Sequence, residues 1–277
     1  MTFKDLAILF RKACSSSFKL KKFLFLFLVL AISGLIYLFF QGVSLYFTNW
    51  TRLPISFLPF FLVSGPLLAA ETFILELYHR EQKAESLSFR QAMLESWEIM
   101  LRSSYLALPV LVAFFLLWVL LAIFILLKAI PLLGKLFGII LAFGPFLINL
   151  GVLVLLLSIL FLFFFVIPSF VVNKKIDRTL LLKKIRSDPF THVLLLAAAL
   201  LPVWIAGKII GKAALMTLFT YSFEDKVLTT LQLFFVMLPV VALMTPAINF
   251  FFNFAMESYY WTQAENESHQ ESGADLE

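Results

Sequence analysis

Hydrophobic residues occur along this chain in six long runs, which shorter polar segments separate. A run of about 20 apolar residues can cross the hydrocarbon core of a bilayer as one α-helix. The pattern therefore predicts an all-α fold, a polytopic membrane helix bundle with six transmembrane helices. The predicted spans are about 23–47, 55–77, 105–127, 136–172, 190–219 and 227–256.

The fourth run, 136–172, is too long for one straight crossing. As an α-helix it would measure about 55 Å, against a hydrocarbon core of about 30 Å. Gly144 and Pro145 are expected to break or kink it, because proline removes a backbone hydrogen bond. Two interpretations remain open: one kinked helix, or a re-entrant segment before Pro145 followed by a crossing at 149–172.

Two polar segments predict amphipathic helices beside the spans. Residues 88–103 begin with Ser88 and Gln91, a capping-box pair that marks the start of a helix. Residues 1–22 are basic, with five apolar side chains at helical spacing. Such a helix is expected in the lipid headgroup region. The five are Phe3, Leu6, Phe10, Cys14 and Phe18.

Composition and charge agree with this picture. Hydrophobic residues make up 62% of the chain, which is more than a soluble fold can bury. Of the 22 Lys and Arg residues, 16 lie in the segments 1–22, 78–104 and 173–188, and 6 lie elsewhere. Because cytoplasmic loops carry an excess of bases, the count predicts cytoplasmic termini and amphipathic cytoplasmic helices.

The chain divides into two parts by composition. Residues 1–256 are predicted to form a single transmembrane domain. Residues 257–277 hold six acids and no Lys or Arg, and they lack apolar periodicity. This segment is expected to be an acidic, disordered tail. Asp188 and Pro189 are an N-cap and first-turn pair that predicts where the fifth span begins.

Glu71 is the main candidate for intramembrane chemistry, because an ionisable residue inside a span predicts a functional site. It follows Gly65 and Pro66, where the helix backbone is expected to open. It fits a proton or cation site, a gating carboxylate, a structural contact to a base, or a water-filled cytoplasmic cleft. Asn149, expected to be buried in the fourth span, completes the candidate intramembrane polar site as an interhelical contact or a ligand.

Other polar residues near the spans favour structural interpretations. Glu76 and Arg80 are expected to form a surface ion pair across one helical turn. Asn249 and Asn253 form a polar stripe in the sixth span, for which helix packing is the favoured explanation.

Motifs of known enzyme and metal sites are missing from the sequence. It has no HExxH, CxxC, GxSxG or GxxxxGK[ST] pattern, and its three histidines and one cysteine lack ligand spacing. We therefore expect no catalytic residue, no metal site, no cofactor and no enzymatic activity.

The basic segments predict contact with anionic lipid headgroups at the cytoplasmic face rather than with nucleic acid. The sequence also leaves open homo- or hetero-oligomers. It predicts a non-enzymatic membrane-organising or accessory protein of the cytoplasmic membrane. The alternative is a transporter or permease component for a small or lipid-like substrate. The expected headgroup contacts are Lys19, Lys21, Lys22, Lys174, Lys175, Arg178, Lys183, Lys184 and Arg186.

The layout resembles a family of bacterial membrane proteins. The segments that carry the likeness are FKDLAILFRKACSSSFKLKK, SGPLLAAETFILELYHRE, FVIPSFVVNKKIDRTLLLKKIRSDPF and TPAINFFFNFAMESYYWTQ. They are similar to uncharacterised six-helix proteins that resemble the membrane domain of glycerophosphodiester phosphodiesterases. The resemblance implies a bacterial inner-membrane location and no catalytic residues. Asn173 and Lys174 stand where that group usually carries a carboxylate.

Overall fold

A computed structural model describes most of the chain. The described residues are 3–44, 49–83, 88–130, 138, 143–175, 188–220 and 226–274. Their helices are α1 (Phe3–Ser17), α2 (Leu20–Ser44), α3 (Asn49–Gln82), α4 (Phe89–Ser104), α5 (Leu108–Ala129), α6 (Gly144–Phe161), α7 (Ile167–Asn173), α8 (Pro189–Thr220) and α9 (Lys226–Ala274). A 3₁₀ turn, Tyr105–Ala107, joins α4 to α5, and a π-helical turn, Leu162–Val166, joins α6 to α7.

Six helical segments are long and apolar enough to cross a membrane, which confirms the all-α membrane fold. They are Leu20–Ser44, Ile55–Gln82, Phe89–Ala129, Phe146–Asn173, Pro189–Ala213 and Gln232–Ala264. In the second segment, 61% of the most apolar 18-residue stretch is buried inside the bundle. In each of the other five segments the corresponding share is at most 28%. The helix α3 is therefore the centre of the bundle.

The backbone of α3 stays helical at Gly65 and Pro66, so the expected opening before Glu71 is not observed. Gly65 instead lets α3 lie close to the end of α4. A Cβ atom at this position would stand 3.4 Å from the carbonyl oxygen of Ser104. Glu71 consequently lies on a regular, densely packed helix.

The fourth span begins at Gly144, with Pro145 in its first turn, where a missing N–H costs no hydrogen bond. Gly144 and Pro145, which were expected to break or kink the run, therefore mark the start of α6. Residues 136–142, apart from Gly138, lie outside the described residues. The possible re-entrant segment falls on these residues and stays a prediction. The irregularity comes later, where Ile167 N–H donates to the carbonyl of Leu162 just before Pro168.

Two predicted helix starts are confirmed. Ser88 and Gln91 form the capping box of α4. At the start of α8, the backbone N–H of Thr191 donates to the Asp188 carboxylate over 3.2 Å. Hydrogen bonds from the Thr191 hydroxyl and N–H lower the pKa of the Asp188 carboxyl group.

The amphipathic helix α1 packs on α9 partly through its predicted apolar face, since Leu6 and Cys14 pack against the core and Phe10 contacts Phe250. Phe10 and Phe18, expected on its apolar side, are exposed. The buried residues of α1 are Leu9, Ala13, Ser16 and Ser17.

The last helix continues well beyond the predicted boundary at 256. It is helical through Ala274, where the sequence analysis expected a disordered tail. Glu257, Ser258 and Thr262 are buried in this extension, so its first turns belong to the packed structure. Polar contacts to α1 and α3, described below, explain why the helix does not end with its apolar run.

Candidate functional site

A buried polar network lies at the end of the bundle where α1 meets α3 and α9. Asn249 donates its side-chain N–H to the backbone carbonyl of Ser17 over 2.7 Å, and Asn253 donates to the Ser17 hydroxyl over 3.3 Å. Carbonyl groups at a helix C-terminus lack intrahelical partners, and Asn249 supplies one. The predicted packing role of this asparagine stripe is confirmed, and its partner is the end of α1.

Lys22 lies inside this network and is therefore not a headgroup contact. Its ammonium group is 2.9 Å from a Glu81 carboxylate oxygen and 3.0 Å from the Ser16 hydroxyl. It also lies 4.8 Å from the ring centroid of Tyr78, a cation–π distance. Lys19 contacts the same Glu81 oxygen at 2.8 Å from the exposed side. The sequence analysis expected Lys22 at the lipid surface because Glu81 is 59 residues away along the chain and no local pattern links the two.

Glu76 holds α3 to the end of the fourth span. Its carboxylate lies 3.0 Å from Arg80 Nε and also accepts a hydrogen bond from Lys174. Lys174 has φ = 56°, a left-handed conformation that ends α7 and is uncommon for residues other than glycine. Arg80 reaches on to Glu95 at 2.6 Å. The expected surface ion pair is thus the buried centre of a four-residue network.

Glu257 joins the last helix to the same network. It accepts a hydrogen bond from the hydroxyl of Tyr78 and lies 3.7 Å from the ammonium group of Lys12. One turn further along, His79 Nδ1 and the Tyr260 hydroxyl are also hydrogen bonded. Each of the three carboxylates in the network therefore has at least one cation beside it, and the arrangement ties six helices together through fixed charges.

Glu71 lies outside this network. Its side chain has no exposed surface, and neither carboxylate oxygen has a hydrogen-bond partner among the described residues. Because it is completely buried, Glu71 lines no water-filled cleft in the described part of the structure. The expected contact to a base from the 173–186 segment is also not seen among the described residues, since Lys174 bonds to Glu76 instead.

Asn149 does not join Glu71 in a polar site. Its side chain lies on the exposed surface of α6, whereas the neighbouring Ile148 faces the core. The expectation that Asn149 is buried is therefore wrong, because the burial of α6 follows Ile148 and Val152 instead. The two halves of the candidate intramembrane site are not brought together.

The remaining predicted headgroup contacts fall into three groups. Lys21 and Lys175 are exposed. Lys19 and Lys174 are about half exposed, and each pairs with a carboxylate. The other four lie outside the described residues: Arg178, Lys183, Lys184 and Arg186.

Glu81 and Glu257 are central to the network, and the sequence analysis missed both. Glu81 is 59 residues from Lys22, and no local pattern links the two. Glu257 was assigned to the tail. The run Tyr259–Tyr260–Trp261 just after it was the available signal, because such aromatic residues are typical of a helix passing through the membrane interface.

Within the described residues, no cluster of three or more His, Cys, Asp or Glu side chains could hold a metal ion. Comparison of the chain with protein-family models, with curated proteins and with solved structures found no match. The chain is therefore described by its architecture, a multi-pass membrane protein with six candidate membrane helices.

Proposed function

We propose that this chain is a non-enzymatic, membrane-organising or accessory protein of a bacterial inner membrane, with both termini in the cytoplasm. It binds anionic lipid through the basic end of its helix bundle. The likeness to the membrane domain of glycerophosphodiester phosphodiesterases is part of this proposal and rests on the six-helix layout. Association with further copies or with other subunits is compatible with it.

The proposal rests on one observation: at this end of the bundle some basic side chains pair with carboxylates, and others are exposed. Glu76, Glu81 and Glu257 are paired with cations that reach them from other parts of the fold. A second set of basic side chains is exposed and forms no ion pair with the described residues: Lys4, Arg11, Lys21, Arg90 and Lys175. These unpaired cations favour contact with anionic headgroups.

A transporter is the alternative, and its requirement was a polar cavity that reaches both Glu71 and Asn149. Glu71 has no exposed surface, and Asn149 faces away from the bundle. No contact among the described residues favours this alternative over lipid association.

The test is the lipid composition next to the full-length protein. The chain is reconstituted into vesicles with equal amounts of phosphatidylglycerol and phosphatidylcholine, each carrying a spin label in turn. We expect phosphatidylglycerol to be enriched at the protein surface. The enrichment should fall between about 0.1 M and 1 M salt, because the Debye length shortens from about 10 Å to about 3 Å. Equal partitioning of the two lipids at low salt would overturn the proposal.

A further inference from the structure

An apolar groove runs along one face of α1, beside its contact with α9. It has a volume of about 720 Å³ and is open to the surroundings. Its described lining comes from α1: Leu6, Ala7, Phe10, Arg11, Cys14 and Ser15. The lining is almost wholly apolar apart from Arg11 and Ser15, so a ligand there has to present an apolar part.

The contacts of α1 place this groove beside the second half of the membrane segment Gln232–Ala264 of α9. Phe10 packs on Phe250 with ring centroids 4.6 Å apart, and Ser17 bonds to Asn249. Two residues about two turns apart on α1 therefore meet α9 at one level. The helix α1 thus crosses α9 rather than running alongside it. Lys12, next to Arg11, lies 3.7 Å from Glu257, just before the run Tyr259–Tyr260–Trp261 that is typical of the membrane interface.

Arg11 differs from its neighbour Lys12 in having no carboxylate beside it among the described residues. Lys12 lies 3.7 Å from Glu257. Arg11 is exposed at the groove and forms no ion pair with any described residue. An arginine can donate two parallel hydrogen bonds to a phosphate group. The open groove therefore combines an apolar lining with one cation that forms no ion pair within the described part of the chain.

We propose that this groove binds one anionic phospholipid, with an acyl chain along Leu6, Phe10 and Cys14 and the phosphate at Arg11. The site rests on the proposed lipid-organising function and deepens it, because it assigns a single bound lipid rather than general enrichment. A lipid is the occupant because the groove lies at the membrane interface and pairs an apolar channel with a phosphate-binding side chain.

The first test is native mass spectrometry of the full-length protein with phosphatidylglycerol or phosphatidylcholine. We expect one phosphatidylglycerol molecule to be retained. Arg11→Gln should weaken its binding about tenfold, because one charge-assisted contact is lost. The matched control is Lys212→Gln, which removes an exposed cation from α8, outside the set of headgroup-binding cations, and should leave retention unchanged.

A second pair of variants tests the acyl-chain channel. Ala7→Trp fills the groove and should abolish retention of the lipid. Ile8→Trp adds the same ring at the next residue, which does not line the groove, and should not affect retention. Thermal unfolding of each variant in detergent establishes that it is folded.

Cys14 gives a measurement on the unaltered protein, because it is the only cysteine in the chain and lines the groove. Phosphatidylglycerol should slow its reaction with a maleimide severalfold compared with phosphatidylcholine, and Arg11→Gln should remove the difference. Equal effects of Arg11→Gln and Lys212→Gln, or retention of the lipid by Ala7→Trp, would overturn the proposed groove site while leaving general enrichment intact. Failure of the function itself would appear as no preference for anionic lipid in the spin-label experiment.

Discussion

Glu81 and Lys22 form a pair whose two members are buried to very different degrees. The Lys22 side chain is 2% exposed, whereas that of Glu81 is 37% exposed. Glu81 also has a second cation, Lys19, at 2.8 Å, while Lys22 has no second carboxylate among its described contacts. Removing one member should therefore not be equivalent to removing the other.

We predict that Glu81→Gln destabilises the protein by about 3–5 kcal/mol, because it leaves the Lys22 ammonium group buried without a counter-ion. Lys22→Met should cost less than about 1 kcal/mol, since Glu81 stays partly hydrated and paired with Lys19. The double variant should be more stable than Glu81→Gln alone. The measurement is unfolding in mixed micelles of increasing SDS content, and equal effects of the two single variants would contradict the argument.

Glu71 presents the opposite case, a buried carboxyl group that has no hydrogen-bond partner among the described residues. A buried polar group without a hydrogen bond costs about 1–3 kcal/mol, and an apolar replacement removes that cost. We predict that Glu71→Leu leaves the protein folded and more stable by up to about 2 kcal/mol in the same assay. Glu76→Leu, five residues later on α3, is the matched control. It should destabilise the protein, because it removes the carboxylate that Arg80 and Lys174 share. Loss of folding in Glu71→Leu would show that Glu71 has a structural partner.

At the level of helices, the pairing of α5 with α6 depends on glycines that face α5. A Cβ atom at Gly151 would stand 2.8 Å from a methyl carbon of Leu117, and one at Gly144 would stand 2.9 Å from the ring of Phe124. These two glycines lie seven residues apart on one face of α6. They set the distance between the two helices.

We predict that Gly151→Leu destabilises the protein by about 1–3 kcal/mol, because the larger side chain forces α5 and α6 apart. Gly211→Leu is the matched control, since a Cβ atom at Gly211 has no atom within 4 Å. Thermal unfolding in detergent, followed by tryptophan fluorescence, measures both. A similar loss in the two variants would mean that leucine at a helical glycine is harmful without any contact.

Local patterns predicted the helices well, and contacts between distant residues explain what they missed. The capping box at Ser88 and the Asp188 cap are set by residues within one turn, and both were predicted. The burial of Lys22 depends on Glu81, 59 residues away. Hydropathy alone also placed Asn149 inside a span, but it does not determine which side of that helix faces the core.

At the level of the whole molecule, contacts bring the N-terminal segment, the α3–α4 region and the start of the 173–188 segment to one end of the bundle. Lys19 pairs with Glu81, Arg80 with Glu95, and Lys174 with Glu76. The sequence grouped these segments by their positive charge, and the ion pairs bring them together in the fold. The side of the membrane that this end of the bundle faces is part of the proposed function.

Cysteine labelling tests the orientation. In a Cys14→Ser background, we expect Lys175→Cys to react with a membrane-impermeant maleimide only from the cytoplasmic side. Lys128→Cys, at the end of α5, should react only from the opposite side, because one crossing separates α5 from α4. Spheroplasts and inverted vesicles give the two sides. Labelling of both cysteines from one side would contradict the six-span arrangement, and the reverse pattern would contradict the proposed orientation.

The contact between α1 and α9 also has a consequence for biosynthesis. Ser17 leaves the ribosome early, but Asn249, which holds its carbonyl group, is encoded 232 residues later. At about 5–20 residues per second, translation needs roughly 10–50 s to supply it. During that interval the first helix has no docking site on the nascent chain. A messenger truncated before the last helix would thus yield a protein whose N-terminus never docks, and a protease or chaperone that recognises the undocked helix could detect the missing C-terminus from the N-terminus.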